Sequence, residues 1–379
     1  MASNFPINKQ TFAGLSIFIF FLWMMSALYQ TTSTSMMHMA PQQAGKQLGQ
    51  QDRLSPALDT SLTNELTAAK EAQQTTSPHS TKSKSGAKNR DQDTNKPAPS
   101  SSKPHADRPL ILYAFAESDT ARENLKFFVN QGLHDAADFI FILNGETNSS
   151  RLIPDRKNIK VISRNNTCFD LGAHGEVLRK DDLYKKYQRF ITMNASIRGP
   201  FLPHWAQSCW SDMYLRRITD EVKLVGMTAN CWPRFHIQSM IWATDRVGID
   251  LLLNPPSSSL QSDLFGTEND PVGMSGCYND YDHAVHAEVG STAAFLKLGY
   301  KVDVMMEVFQ KSKNYIEECD SSADGDFLYQ GRYFGSNIHP YETIFIKTNR
   351  DIDPTLIQHL TTWQQASGFN SYAACKANS

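Results

Sequence analysis

No cysteine occurs in the first 167 of this chain's 379 residues, although six follow. They are Cys168, Cys209, Cys231, Cys277, Cys319 and Cys375. No two are spaced as Cys-x-x-Cys. That argues against a zinc site built on thiolates. An even set of widely spaced cysteines in one part of the chain predicts disulfides and an oxidising compartment. Sequence does not rank the pairings, and buried free thiols are the alternative.

Other absences narrow the reading further. Charge is missing from Phe12 to Tyr29, an apolar run of 18 residues. As a helix it would be roughly 27 Å long, enough to cross the hydrocarbon core of a thin early-secretory bilayer. A cleaved signal peptide is the alternative, but the run is long for one and ends in Ala-Leu-Tyr-Gln, a poor cleavage site. Lys9 precedes the run and no Lys or Arg follows before Lys46. This bias predicts a cytoplasmic N-terminus and a lumenal remainder. Phe, Trp, Tyr, Val, Ile and Cys are all missing from Gln30 to Arg108. Such a stretch cannot bury enough apolar area to offset its ordering entropy. It reads as a disordered stretch rich in Ser, Thr, Gln and Pro, either an O-glycosylated stem that spaces a head from the membrane or a tail with no spacing role. A strongly basic balance is also lacking, since the net charge is −2, which argues against a nucleic-acid partner. No Gly-x-Ser-x-Gly elbow occurs, which argues against a serine hydrolase.

The expected organisation is therefore a cytoplasmic tail (1–11), a signal anchor (12–29), a stem (30–108) and a lumenal domain (109–379). This makes the chain a single-pass type II protein of the Golgi or ER membrane. Three sequons begin at Asn148, Asn165 and Asn194. The first two lie in polar loop contexts suited to glycans. The third directly follows an apolar strand and is expected to be buried and unmodified.

In the head, apolar runs alternate with helical patterns. Strands are predicted at Pro109–Ala116, Asp138–Asn144, Ile159–Ile162, Arg189–Met193, Lys223–Met227, Gln238–Ala243 and Lys301–Met306. Helices are predicted from Ser118 or Asp119 to about Gln131, from Gly172 to about Tyr187, from Asp245 to before Pro255, and over His283–Leu298. Leu125, Phe128 and Val129 share one face of the first helix. The alternation predicts an α/β fold, an open and mostly parallel sheet with flanking helices. Ligands of such sheets bind beyond the carboxyl ends of the strands. The residues that follow strands are Asn144, Arg164, Asn194, Asn230 and Asp245.

Two loops carry candidate chemistry. The first runs from Arg164 through Asn166 and Asp170 into a helix. Asp170 can accept from a sugar or ribose hydroxyl, and Gly172 leaves room for a ligand near the helix amides. The plainer reading of Asp170 is a helix N-cap. The second loop, after the strand Arg189–Met193, holds Asn194, Ser196, Arg198, Gly199 and Pro200. It offers an amide, a hydroxyl and a guanidinium suited to phosphate. The plainer reading of Arg198 is a loop tie.

These two segments, with Asn166, Asp170 and Gly172 and then Asn194, Ser196, Arg198, Gly199, Pro200 and Phe201, resemble the rhamnan synthesis protein F family and related glycosyltransferases. Segments such as His339-Pro-Tyr-Glu-Thr-Ile-Phe-Ile-Lys also resemble uncharacterised eukaryotic membrane-anchored proteins. The resemblance implies a GT-A type of nucleotide-sugar fold. It also implies a nucleotide sugar as donor and a glycan or glycoprotein as acceptor, with Asp170 at the donor and the Asn194 loop at its diphosphate. The chain departs from that pattern at Met193-Asn194-Ala195-Ser196. No carboxylate stands there to hold Mn²⁺ or Mg²⁺, and Asn and Ser are weak sole ligands. Either donor binding is metal-independent, or ligands come from elsewhere, with Asp280, Asp282 and His339 as weak candidates, or catalysis has been lost. Glu288, on the predicted helix His283–Leu298, is the candidate catalytic base; its alternative role is a helix-dipole partner. His236 and Gln238 are candidates for the acceptor side. Two functions follow as expectations. One is a type II membrane glycosyltransferase. The other is a non-catalytic carbohydrate-binding or scaffold protein on the same fold.

Overall fold

The computed structural model describes residues 108–206, 208–319 and 326–375. The predicted anchor and all but the last residue of the predicted stem lie outside them. Among the described residues no helix is long and apolar enough to cross a membrane.

Seven strands form one sheet: β1 (Leu110–Ala116), β2 (Asp138–Asn144), β3 (Ile159–Arg164), β4 (Arg189–Asn194), β6 (Val222–Gly226), β9 (Ile241–Asp245) and β10 (Lys301–Val304). Two ribbons of two-residue strands lie outside it: β5 (Ile197–Arg198) pairs β11 (Ile346–Lys347), and β7 (Ala229–Asn230) pairs β8 (His236–Ile237). The sheet order is β10-β6-β9-β4-β1-β2-β3. β1, β2, β3 and β4 are parallel, β6 and β10 are parallel, and β9 runs antiparallel between β4 and β6. The predicted α/β class is correct, with one strand reversed. β1, β2 and β4 are apolar almost throughout because both faces are covered by helices.

The main helices are α1 (Asp119–Gln131), α2 (Phe169–Arg179), α3 (Trp210–Leu215), α4 (Arg246–Leu253), α5 (Tyr281–Lys297) and α6 (Pro354–Ala366). The start of α1 follows its sequence signal: Ser118 caps it by accepting from the Ala121 N–H at 3.1 Å. Phe128 of α1 packs on Tyr113 of β1 and edge-on to Trp210 of α3. α2 and α4 are tied by Arg179, which donates to the Leu253 carbonyl and, at 2.8 Å, to that of Met274. The predicted helix to Tyr187 stops at Arg179 and continues as a tighter helical segment, Lys180–Lys186, with positive φ at Asp181 and Asp182.

All six cysteines are paired, as Cys168–Cys277, Cys209–Cys375 and Cys231–Cys319. The sequons at Asn148 and Asn165 are exposed. Asn194 is half-buried rather than fully buried, and its amide is committed to Asp170.

Candidate functional site

The chain leaves β3 on one side of β1 and returns as β4 on the other. Such a reversal opens a crevice beyond the carboxyl ends of the strands. Here it holds a cleft of about 700 Å³ lined by Asn144, Asp170, Asn194, Ser196, Ser239, Glu288, Lys347 and Arg350, among others. Four predicted site residues, Asp170, Asn194, Ser196 and Glu288, meet in it, though Asp170 and Glu288 are 118 positions apart in sequence.

Backbone pairing sets the floor. The Ala195 N–H donates to the Ala114 carbonyl at 2.9 Å, and the Asn194 N–H to that of Met240 at 3.1 Å. Buried Asn124 of α1 clamps the turn from below. Its amide donates to the Ala195 carbonyl at 2.9 Å and to Thr348 Oγ1 at 2.8 Å, and its oxygen accepts from Arg198 Nε at 2.9 Å. Asn194 then points its amide at Asp170, while its oxygen accepts from Ser196 Oγ at 2.6 Å and Ser196 N at 3.1 Å.

Asp170 lies in the first turn of α2, where it also accepts from the Leu171 N–H at 3.1 Å. Burial raises its pKa; the Asn194 hydrogen bond opposes this, and the negative charge of Glu288 adds to it. Glu288 sits differently. Its Oε2 accepts from the Ser239 N–H at 2.7 Å and from the Ser239 hydroxyl, and its Oε1 lies 3.4 Å from His236 Nε2. Burial pushes Glu288 up, but His236, Ser239 and Lys347 outweigh it and hold the carboxyl at about 2. The other nitrogen of His236 faces the Arg234 carbonyl at 2.9 Å. Both ring nitrogens thus face oxygen atoms, which fixes the ring behind Glu288. The two cleft carboxylates are pushed apart in basicity, the pattern that separates acid–base roles.

No protein-family model and no curated protein matches the chain.

Several predicted site residues lie elsewhere. Gly172 makes no room for a ligand. A Cβ there would come within 2.7 Å of Cys168 Cβ and 2.8 Å of the Gly276 carbonyl, so its smallness serves the packing of α2 on the Cys168–Cys277 bridge. Arg198 leaves the cleft: it holds Asn124 and, at 3.3 Å, Thr361 of α6, and lines a neighbouring groove. His236 supports Glu288 from behind and is buried. Gln238 is also buried, its oxygen accepting from Thr228 Oγ1 at 2.7 Å. Neither lines the cleft. Asp280 caps α5, accepting from the His283 N–H at 2.9 Å and lying 2.7 Å from His283 Nδ1, while Asp282 is exposed in the first turn. His339 caps a single helical turn by accepting from the Tyr341 N–H at 3.1 Å, away from the cleft. Asp245 follows β9, but β9 runs backwards, so its carboxyl end reaches the opposite edge of the sheet. There Asp245 caps α4 and pairs with Lys223. Arg164 is occupied by Asn144 at 2.7 Å and Glu176 at 2.6 Å.

Among the described residues the one cluster of three metal-capable groups is His134, Cys209 and Cys375. Both of its sulfurs belong to a disulfide, which leaves no thiolate to bind. The cleft itself offers two carboxylates, one of them already fully engaged by Ser239 and His236. That donor set is a poor match for a divalent cation.

Glu288→Gln tests the engaged carboxylate. A group with a depressed folded pKa contributes stability above its unfolded pKa and loses it as pH falls through the folded one. We expect the variant to lose about 2–4 kcal/mol at pH 7. The difference should shrink as pH drops below about 4.5 toward about 2. Urea unfolding of both proteins at pH 7 and pH 3 checks this; equal stability at pH 7 contradicts it.

Proposed function

We propose that the chain is a glycosyltransferase that moves a sugar from a nucleotide-sugar donor to a glycan or glycoprotein acceptor, from a GT-A-like fold. The reading rests chiefly on the cleft at the reversal of strand order, where Asp170, Asn194 and Ser196 stand together with Glu288 and a cationic wall. It also agrees with the resemblance of the Asp170 and Asn194 segments. A crevice of about 700 Å³ is of the size that encloses a small-molecule ligand.

In a direct displacement the acceptor oxygen attacks the anomeric carbon, the bond from that carbon to the diphosphate breaks, and the acceptor proton must be removed. The expected base was Glu288. A carboxyl held at about 2 is strongly ionised and weakly basic. Asp170, raised by burial, is better matched to take the proton. Glu288 then fixes the Ser239 corner, and Asn194 orients the Asp170 carboxylate. The three disulfides fit the Golgi or ER lumen. The type II anchor remains part of the same proposal.

Calorimetric titration of the full chain with a panel of nucleotide sugars tests the reading, run with and without Mn²⁺. We expect micromolar-range binding of one donor class, with slow hydrolysis of the bound sugar in the absence of acceptor. Glycan binding with no nucleotide affinity would instead identify a carbohydrate-binding protein on this fold.

A further inference from the structure

We propose that Lys347, seconded by Arg350, is the cation that receives the leaving diphosphate, so that donor binding in this cleft needs no divalent metal. The inference rests on the glycosyl-transfer reading and names the residue that completes it.

The placement follows from strand register. β5 and β11 pair antiparallel, with Lys347 opposite Ile197 and Ile346 opposite Arg198. Opposed residues share a face of such a ribbon and neighbours alternate. Arg198 and Lys347 therefore leave on opposite faces. Arg198 goes to α6, and Lys347 goes into the cleft beside Asn349 and Arg350. The Thr348 N–H donates to the Ser196 carbonyl at 3.0 Å, which joins the Lys347 strand to the Asn194–Ser196 turn. Asn124 grips both from below.

Lys347 is half-buried, and its ammonium makes no hydrogen bond or ion pair with a described residue. Its three donors are unspent. A partly desolvated ammonium with no partner is costly unless an anion completes it. Burial and the neighbouring charge of Arg350 lower its pKa, and the carboxylates of Glu288, Asp326 and Asp170 oppose this only through space. Arg350 stands at the lip, held by Asp326 at 3.3 Å and lying over the Tyr329 ring at 5.2 Å. The opposite wall cannot take the charge. The first turn of α2 already carries the Asp170 carboxylate, which repels a phosphate from those amides.

The step balances without a metal. The anomeric C–O bond breaks and its electron pair goes to the diphosphate oxygen, whose new charge lies against Lys347. The acceptor oxygen forms the new bond and its proton passes to Asp170.

The test titrates inorganic pyrophosphate and four nucleoside diphosphates (UDP, GDP, ADP and CDP) into the full chain. Wild type, Lys347→Met and Lys347→Arg are compared in EDTA and again in Mn²⁺. We expect wild-type binding in EDTA. Lys347→Met should weaken it about tenfold to hundredfold, with Lys347→Arg recovering most of the loss. The wild-type arm decides the metal question without any variant, so a misfolded variant leaves it intact. Nucleotide binding seen only with Mn²⁺ overturns this inference and leaves the transferase reading standing. A folded Lys347→Met protein with wild-type affinity also overturns it. Pyrophosphate bound through Lys347 with no nucleotide bound would keep the anion site and remove the transferase reading. No binding of either overturns both.

Discussion

Asp170→Asn should cut sugar transfer by about two to four orders of magnitude, the usual range for a lost general base. The donor found by titration is the substrate to use. Donor affinity should change much less, because the asparagine keeps the shape and one acceptor oxygen. In the wild type, activity should fall as pH drops through the raised Asp170 pKa, since only the carboxylate can accept a proton. The variant should lose that acidic limb along with the rate. Stability should move the other way. Burial favours the protonated form of Asp170. A carboxyl raised in the folded state binds more protons folded than unfolded, so it subtracts stability as pH climbs from about 3.9 through the raised value. Asparagine removes that penalty. The variant should melt at or above the wild-type temperature at pH 7 while being nearly inactive, the trade expected where a site is built at the fold's expense. An Asp170→Asn protein with full rate and an unchanged pH profile would remove Asp170 from the chemistry and return attention to Glu288.

Much of the frame that positions this carboxylate was legible in the sequence. β1, α1 and β2 were bounded to within a residue or so, because their apolar runs are continuous or helically spaced and Ser118 marks a start. Asp170, Asn194 and Ser196 could be named because they follow parallel strands, and strand ends are local features. The failures share a cause: each depended on a partner far along the chain. β9 looks like any other apolar strand, and only its antiparallel neighbours reveal that Asp245 emerges at the wrong edge. Arg198 reads locally as either a phosphate ligand or a loop tie, and the sequence does not choose between them. Its direction is set by pairing with Ile346, whose strand is two residues long and gives no periodic signal. The same pairing hides Lys347. Asn124 gave no sign at all, since a single asparagine in an amphipathic helix reads as surface until Ala195, Arg198 and Thr348 are seen around it. Gly172 reads as space for a ligand because nothing local signals the Cys168–Cys277 pairing that crowds it.

That bridge sets up the second large effect. Cys168 adjoins Phe169 and Asp170 at the start of α2, and Cys168 and Phe169 both hold positive φ. Cys277 lies in the loop that leads to α5, the helix of Glu288. The bond therefore pins the two carboxylate-bearing helices to each other at the cleft mouth, across a separation of 109 residues. Replacing both cysteines by serine should cost about 2–5 kcal/mol in chemical unfolding. The loss should not stop at stability. Without the bridge the corner at Cys168 and Phe169 is free to relax, and Asp170 moves with it. Transfer should fall by at least tenfold even in conditions where the protein is fully folded, since misplacing a catalytic group by about 1 Å already costs about a hundredfold. Cys209→Ser with Cys375→Ser provides the comparison. That bond closes a longer span of 166 residues and joins the start of α3 to the C-terminal segment, away from the cleft. It should cost similar stability and leave the rate of the folded protein intact. Equal kinetic loss in both double variants would mean that the first bridge only holds the fold, and that Asp170 keeps its place through Asn194 alone.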